Sequence, residues 1–191
     1  MQAVILNGAR LGDHATDAAH AMVVEELQHL GYTVQPFILR DAKIAYCQGD
    51  FECWIKTPGL CKADDDGRVI ARAVIQSDLA IFLTPITFGG YSSELKRALD
   101  KMICLVSPFF AKIRGEVHHQ KRYDRYPRLL GIGTLAQRDP ESERIFTTLV
   151  SRNALNMHAP AHAAQVMLEN DNADTLRANL HAMLATVGGQ R

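Results

Sequence analysis

The stretch "LAIFLTPITFGGYSSELKRALD", residues 79–100, contains a strand, a loop and a helix in direct succession, and it decides the fold class. Its first six residues are an apolar run that ends at Pro85, which is typical of a strand buried on both faces. Ser92 and Ser93 precede a segment with charged and apolar residues at helical spacing, so they are predicted helix caps. A buried strand followed at once by a helix indicates one β-α unit of a parallel sheet.

The same alternation runs along the whole chain. Four further apolar runs read as strands, at residues 3–7, 33–39, 128–134 and 163–169. Helical patterns separate them, with capping carboxylates at Asp64 to Asp66 and at Asp139. We therefore expect one α/β domain over residues 1–191, with helices on both faces of a five-stranded parallel sheet in the order 2-1-3-4-5.

Composition excludes several classes of partner. Lys plus Arg equals Asp plus Glu at 21 each, so no basic field is available to hold a nucleic-acid backbone. The longest apolar runs are too short to cross a bilayer, and the N-terminal residues lack a basic segment ahead of an apolar one. Four cysteines in 191 residues do not resemble a secreted disulfide framework. We expect a cytoplasmic protein with no nucleic-acid or membrane partner.

In such a sheet a ligand binds beyond the carboxyl ends of the strands, where the strand order reverses. The loop after the first strand, "NGARLGDHAT", carries Gly8, Arg10 and Thr16 ahead of a helix. A helix N-terminus with an arginine suits a phosphate, and the sequence lacks the Walker and dinucleotide patterns. The alternative interpretation is an ordinary strand-to-helix turn with a surface arginine.

The loop after the third strand, "TPITFGG", suits a flat ligand. Pro85 fixes the direction of the chain, and Gly89 and Gly90 let the backbone approach closely. Phe88 or Tyr91 offers a ring for stacking. A planar ring here with its phosphate in the first loop describes flavin mononucleotide (FMN), although a plain β-to-α connection is the alternative.

Two segments carry a resemblance to a known family. "TPITFGGYSSELKRALDK" and "CQGDFECWIKTPGLCKADDDG", together with "NGAR", resemble the flavodoxin-like NAD(P)H-dependent FMN reductases and their iron-sulfur flavoprotein relatives. The resemblance spans Met1 to about Met102. It implies a three-layer flavodoxin fold, non-covalent FMN, NAD(P)H as co-substrate and a homodimer. Carried over by position, the cofactor-binding residues are Gly8, Arg10, Thr16, Thr84, Pro85, Ile86, Thr87, Phe88, Gly89, Gly133 and Thr134.

Two departures from the family pattern stand out. Ala9, Asp13 and His14 replace residues that the family uses around the phosphate. Asp50 stands where an iron-sulfur flavoprotein has the second of its four cluster cysteines, which leaves Cys47, Cys53 and Cys61. We expect no iron-sulfur cluster and no other metal; a redox-active Cys47/Cys53 pair, a zinc site completed by a histidine, and simple packing are the alternatives.

The leading hypothesis is an oxidoreductase that passes a hydride from NAD(P)H through FMN to a flavin, quinone or similar small acceptor. No side chain need act as an acid or base, so no catalytic residue is assigned. Rival hypotheses are an FMN-binding electron carrier without NAD(P)H activity, and a sensing or scaffold module without a cofactor. Aromatic residues on the two long segments are candidates for shaping the acceptor pocket: Trp54, Phe109, Phe110, Tyr123 and Tyr126.

Overall fold

The computed structural model describes residues 1–188. Its strands are β1 (Gln2–Asn7), β2 (Thr33–Ile38), β3 (Leu79–Pro85), β4 (Val106–Ile113), β5 (Glu116–Lys121), β6 (Arg128–Leu135) and β7 (His162–Leu168). Its helices are α1 (His14–His29), α2 (Glu52–Ile55), α3 (Asp66–Gln76), α4 (Ser93–Lys101), α5 (Pro140–Asn156) and α6 (Ala173–Gly188), and a 3₁₀-helix spans Met102–Leu105. No helix within residues 1–188 combines the length and the apolar character needed to cross a membrane.

Five strands form one parallel sheet in the order β2-β1-β3-β6-β7. The predicted five-stranded parallel sheet is therefore confirmed. The numbering departs from the predicted 2-1-3-4-5 because β4 and β5, which were not predicted, form a separate antiparallel hairpin between the third and fourth strands of the sheet. Residues 189–191 of the predicted domain lie outside the described residues.

Each face of the sheet is covered by a layer of helices. Phe82 and Phe146 belong to a buried cluster with α3, α4 and α5, whereas Ile5 and Leu27 belong to a second cluster with α1 and α6. Because helices cover both faces of the sheet, its strands carry apolar side chains on both faces and appear in the sequence as continuous apolar runs. Full burial of one such side chain stabilises the fold by about 1.5–3 kcal/mol.

Side-chain caps fix where the helices begin. Asp13, Asp65, Ser92 and Asp139 each accept a hydrogen bond from a first-turn amide of the helix that follows. Caps were predicted at Asp64 to Asp66, at Ser92 and Ser93, and at Asp139, and the structure assigns them to Asp65, Ser92 and Asp139. A cap of this kind contributes about 1 kcal/mol. Helices α1, α4 and α5 all begin just beyond the carboxyl ends of β1, β3 and β6, so their N-termini share one edge of the sheet.

The two long segments pack against one another. The first contains the short helix α2, and the second contains the β4–β5 hairpin, which turns at Arg114 and Gly115 with positive φ of 51° and 87°. Trp54 on α2 donates from its indole nitrogen to the carbonyls of Ile103 and Val106, at 3.1 and 3.0 Å. These bonds tie α2 to the base of the hairpin.

Candidate functional site

The loops after β1 and β3 are joined by direct hydrogen bonds. The Gly8 amide donates to the Leu83 carbonyl at 2.7 Å, and the Ser92 hydroxyl donates to the Gly8 carbonyl at 2.7 Å. A methyl group on Gly8 would lie 2.6 Å from Ser92 Oγ and 2.8 Å from Leu95 Cβ, so only glycine fits. The two loops predicted to form one site therefore meet at one rim of the sheet.

The end of β6 completes this rim. The Ile86 amide donates to the Thr134 carbonyl at 3.0 Å. The Ile86 side chain covers Gly133 so closely that a Cβ there would lie 2.6 Å from Ile86 Cδ1. Gly133 and Thr134 belong to the buried end of strand β6 rather than to a loop, and they support the Ile86 side chain from below.

The outermost part of the rim is a tight turn. The amides of Thr87 and Gly90 donate to each other's carbonyls at 3.0 and 2.9 Å. Phe88 and Gly89 between them have φ of 51° and 75°, which is the pattern of a type I′ turn. Phe88 is fully exposed, at 101% of its reference area, whereas Gly89 is pressed against Ile145. The turn presents one aromatic ring to solvent at the edge of the rim.

The start of α1 forms the other end of the rim. The amides of Arg10, Leu11, Gly12 and Ala15 make no hydrogen bond within residues 1–188, and the Arg10 side chain is exposed. Asp13 accepts from the Thr16 amide at 3.1 Å, and its second carboxylate oxygen is buried without a partner in the same described chain. The loop therefore offers free donors to an anion and also carries a carboxylate beside them.

The Thr16 hydroxyl, predicted to bind the phosphate, is directed into the protein. It lies 2.6 Å from the Thr134 hydroxyl, and both residues are buried. This bond ties α1 to β6 beneath the rim. The sequence predicted separate ligand contacts for Thr16 and Thr134 and gave no indication that their hydroxyls bind each other.

A polar cluster under the first loop was missed altogether. Asn7, which is fully buried at the end of β1, accepts from the Ala9 amide at 2.8 Å and donates to Asp17 at 3.3 Å. Arg40 binds the same carboxylate at 2.9 Å, and this bond holds the pKa of Asp17 below its ordinary value despite partial burial. The only sequence signal was a polar residue, Asn7, closing an apolar run.

The predicted binding residues thus divide by position. The exposed and half-buried ones are Arg10, Pro85, Ile86, Thr87 and Phe88, and the buried ones are Gly8, Thr16, Thr84, Gly89, Gly133 and Thr134. Thr84 is typical of the buried group, because its hydroxyl accepts from the Ser92 amide and donates to the Pro85 carbonyl. The structure brings all eleven residues to one edge of the sheet. About half of them are buried and support that edge through packing and hydrogen bonds.

A separate cavity of about 1000 Å³ lies between the two long segments. We call it the insert cavity. Its walls come from residues 45–51, Cys53 and residues 61–63, together with the end of α4, the β4–β5 hairpin and the end of α5. Of the aromatic residues predicted to shape a pocket, Phe110 lines this cavity directly.

Trp54 shapes the insert cavity from behind. Its ring stacks on Phe51 at 5.2 Å and contacts His119 at 4.8 Å, and His119 stacks on Phe110 at 4.7 Å. Tyr126 instead supports the base of the hairpin, with its hydroxyl donating to the Leu105 carbonyl at 2.6 Å. Trp54 and Phe110 thus contribute to the wall of the insert cavity, and the role of the long segments in an acceptor pocket stays a prediction.

One residue links the rim to the insert cavity. Tyr91 follows the rim turn directly, and its hydroxyl accepts from Asn153, a cavity residue, at 2.9 Å. Burial raises the pKa of Tyr91 to about 12, so this hydroxyl stays protonated at neutral pH. The rim and the insert cavity are therefore connected through the Tyr91–Asn153 hydrogen bond.

The cysteines lie around the insert cavity. Cys47, Cys53 and Cys61 line it, all as free thiols, whereas Cys104 is buried beneath it. Within residues 1–188 no three His, Cys, Asp or Glu side chains are arranged to hold a metal ion. His118 and His119 also line the cavity, and His118 lies between Glu116 and Asn156 at 3.0 and 2.9 Å.

Comparison with known proteins identifies the family. A family model described as NADPH-dependent FMN reductase matches residues 1–121, which is more than half of the 191-residue chain. The chain belongs to the NADPH-dependent FMN reductase family. The matched region contains the loops after β1 and β3 and most of the insert cavity's wall.

Individual relatives of this FMN reductase family member are distant. An iron-sulfur flavoprotein of Archaeoglobus fulgidus is 31% identical over 104 residues, which cover 54% of this chain and 46% of that protein. The chain therefore matches about half the length of this curated relative.

Solved structures share the fold over nearly the whole chain. An NADH:FMN oxidoreductase in its apo form is 14% identical with a TM-score of 0.64, over 97% of this chain and 87% of the other. An NAD(P)H:quinone oxidoreductase from Methanothermobacter marburgensis is 13% identical with a TM-score of 0.62, over 100% and 99% of the two chains. Identities this low establish the flavodoxin-like fold of the family alone.

Proposed function

We propose that this protein is an FMN-dependent NAD(P)H oxidoreductase that reduces a flavin, quinone or similar small acceptor. The observation that carries the proposal is the junction of the β1 and β3 loops through Ser92 and Gly8. It holds the segment before α1 and the aromatic turn after β3 on one rim of the sheet. Family membership supports the same reading.

The phosphate end of the proposed site is the segment before α1. The free amides of Arg10, Leu11 and Gly12 and the Arg10 side chain are donors suited to a phosphate. The Asp13 carboxylate would repel a bound phosphate, although it is turned inward as a helix cap. The donor set therefore fits FMN, with a reduced attraction for its phosphate compared with a loop free of acids.

The ring end is the β3–α4 loop. Pro85 and Ile86 lie half-buried at the rim, and Phe88 is free to cover a planar ring. Bound FMN supplies the chemistry, since its ring accepts a hydride from the nicotinamide and releases the electrons to an acceptor. The protein's part is to hold the ring edge with backbone groups and to exclude water from one face.

A second copy of the chain is the proposed cover of this rim. Leu11 and Phe88 flank it with exposed fractions of 94% and 101%, which is unusual for large apolar side chains. A two-fold dimer that buries both would also shield the ring. Light scattering of the purified protein tests this, with a dimer expected and a monomer contradicting it.

The experiment that tests the function is NADH or NADPH oxidation by FMN-reconstituted protein with a panel of flavin, quinone and nitroaromatic acceptors. Turnover that requires both the protein and FMN is the expected result. Tight FMN binding with no oxidation of either nucleotide would instead favour an electron carrier. Failure to bind FMN at micromolar concentrations would contradict the proposal outright.

A further inference from the structure

Three thiols of the insert cavity have no role in the proposed flavin chemistry. Cys53 and Cys61 lie on opposite ends of a compact turn. The Gly59 amide donates to the Cys53 carbonyl at 2.9 Å, and Lys62 forms an ion pair with Glu52 at 3.0 Å. The chain therefore turns back on itself between Cys53 and Cys61, and both cysteines line the insert cavity.

Cys61 has a cation beside its sulfur. Lys101 donates from Nζ to Cys61 Sγ at 3.4 Å, although Lys101 is only 3% exposed. Burial alone would lower the pKa of Lys101, but the contacts with Asp65 and Cys61 outweigh it and raise the pKa. A buried ammonium is therefore held against this sulfur at neutral pH.

Asp65 fixes the position of Lys101. Its carboxylate lies 3.2 Å from Lys101 Nζ, accepts from the Ala45 amide at 2.9 Å and caps α3 through the Gly67 amide. The lysine thus bridges a carboxylate and a thiol at the cavity wall. A cation next to a partly exposed sulfur is the environment in which cysteines react with oxidants.

We propose that Cys61 and Cys53 form a redox-active dithiol that responds to hydroperoxides. The Cys61 thiolate attacks the terminal peroxide oxygen, the O–O bond breaks, and Cys61 becomes a sulfenic acid while an alkoxide or hydroxide leaves. Cys53 sulfur then attacks Cys61 Sγ, the S–S bond forms, and the sulfenic oxygen departs as water with the Cys53 proton. The peroxide takes up the two electrons that the dithiol loses.

The roles of the two cysteines follow from their surroundings. Burial, followed by the neighbouring Cys61 and Cys47 sulfurs, raises the pKa of Cys53, so Cys53 is the thiol that stays protonated until it resolves the sulfenic acid. Cys104 is excluded as a partner, because it is 2% exposed and burial raises its pKa to about 12. Cys47 is exposed and makes no hydrogen bond to Lys101 within residues 1–188. It therefore lacks the neighbouring cation that distinguishes Cys61.

Peptide mapping of the full chain after treatment with hydrogen peroxide tests the pairing, whether or not FMN binds. A Cys53–Cys61 cross-linked peptide under non-reducing conditions is the expected product. Cys47→Ser should leave its yield unchanged, and Cys53→Ser should abolish it and leave a Cys61 sulfenic acid that dimedone traps. A cross-link through Cys47, or oxidation of Cys61 no faster than that of Cys104, would overturn the proposal.

Variants of Lys101 test the cation. Lys101→Met, which keeps the volume, should slow disulfide formation on the order of tenfold, and Lys101→Arg should keep a rate close to that of the unmodified chain. Asp65→Asn retains a capping side chain but removes the carboxylate that fixes Lys101 Nζ, so it should also slow disulfide formation, by a smaller factor than Lys101→Met, and it supplies the test if Lys101→Met fails to fold. Equal rates for the Met and Arg variants, or an Asp65→Asn rate equal to that of the unmodified chain, would overturn the assigned role of Lys101.

Discussion

The Ser92 hydroxyl donates a 2.7 Å hydrogen bond to the Gly8 carbonyl, which joins the start of α4 to the loop after β1 across 84 positions of the chain. Ser92 also caps α4 by accepting from the Leu95 amide at 3.2 Å. One buried side chain therefore sets both the start of a helix and the distance between two loops. The spacing of these two loops is therefore set by hydrogen bonds within the protein.

Gly8→Ala should disturb this junction. The added Cβ would meet Ser92 Oγ at 2.6 Å and Leu95 Cβ at 2.8 Å, and overpacking of this kind costs about 1–3 kcal/mol of unfolding free energy. Urea denaturation measures the loss, and FMN titration should show weaker binding. Gly90→Ala is the control, since its Cβ would meet its nearest atom at 3.6 Å. Equal stability of the two variants would contradict the close packing at Gly8.

Phe88→Ala should separate binding from stability. The ring is fully exposed, so its loss should change the unfolding free energy by about 0.5 kcal/mol or less. An aromatic contact with the flavin ring contributes about 0.5–1.5 kcal/mol, and flavin fluorescence titration should show affinity reduced severalfold. Phe109→Ala, at an exposed position on strand β4 rather than in either rim loop, should leave the affinity unchanged.

Asp13→Asn should strengthen FMN binding. Asparagine caps a helix about as well as aspartate, so α1 should persist while one negative charge beside the free amides is removed. The gain should be about 1 kcal/mol or less and should shrink as salt is added. Riboflavin, which lacks the phosphate, is the matched ligand: an equal gain for riboflavin would show that Asp13 does not face a phosphate.

Glu116→Gln should lower stability in a pH-dependent way. Arg152, followed by His118, lowers the pKa of Glu116 from 4.5 to about 2. A carboxylate whose pKa is depressed on folding stabilises the protein above its unfolded pKa, and that contribution is lost as the pH falls through the folded pKa. The difference in unfolding free energy between the parent chain and the variant should therefore be constant above about pH 5. It should decrease toward zero as the pH falls to about 2. Urea titrations across this range measure it, and a difference that widens in acid would contradict the pairing.

The sequence predicted the parts of the fold that local chemistry decides. Continuous apolar runs such as residues 79–84 indicated buried parallel strands, and Asp65, Ser92 and Asp139 indicated helix starts. Both signals are local, because burial on two faces and capping each constrain a short window. The β4–β5 hairpin escaped prediction, since its turn at Arg114 lacks the usual Asn-Gly or Asp-Gly pair.

The candidate site was predicted in outline. Gly8, Pro85 and Phe88 come together as the loop pattern indicated. The Thr16–Thr134 hydroxyl bond and the Lys101–Cys61 contact were not foreseeable, because they join residues 118 and 40 positions apart through side-chain geometry alone. The position of the insert cavity likewise depends on how two long segments pack, for which periodicity gives no rule.

We propose that the rim formed by the loops after β1 and β3 holds FMN within reach of a nicotinamide nucleotide. The most direct test is the absorbance spectrum of the FMN-reconstituted protein before and after anaerobic addition of NADPH, with NADH in a parallel sample. The expected result is a bound, oxidised flavin spectrum that bleaches on mixing with at least one of the two nucleotides. The bleaching should be far slower in the Gly8→Ala variant. A protein that binds no flavin, or whose bound flavin stays oxidised with both nucleotides, would contradict it.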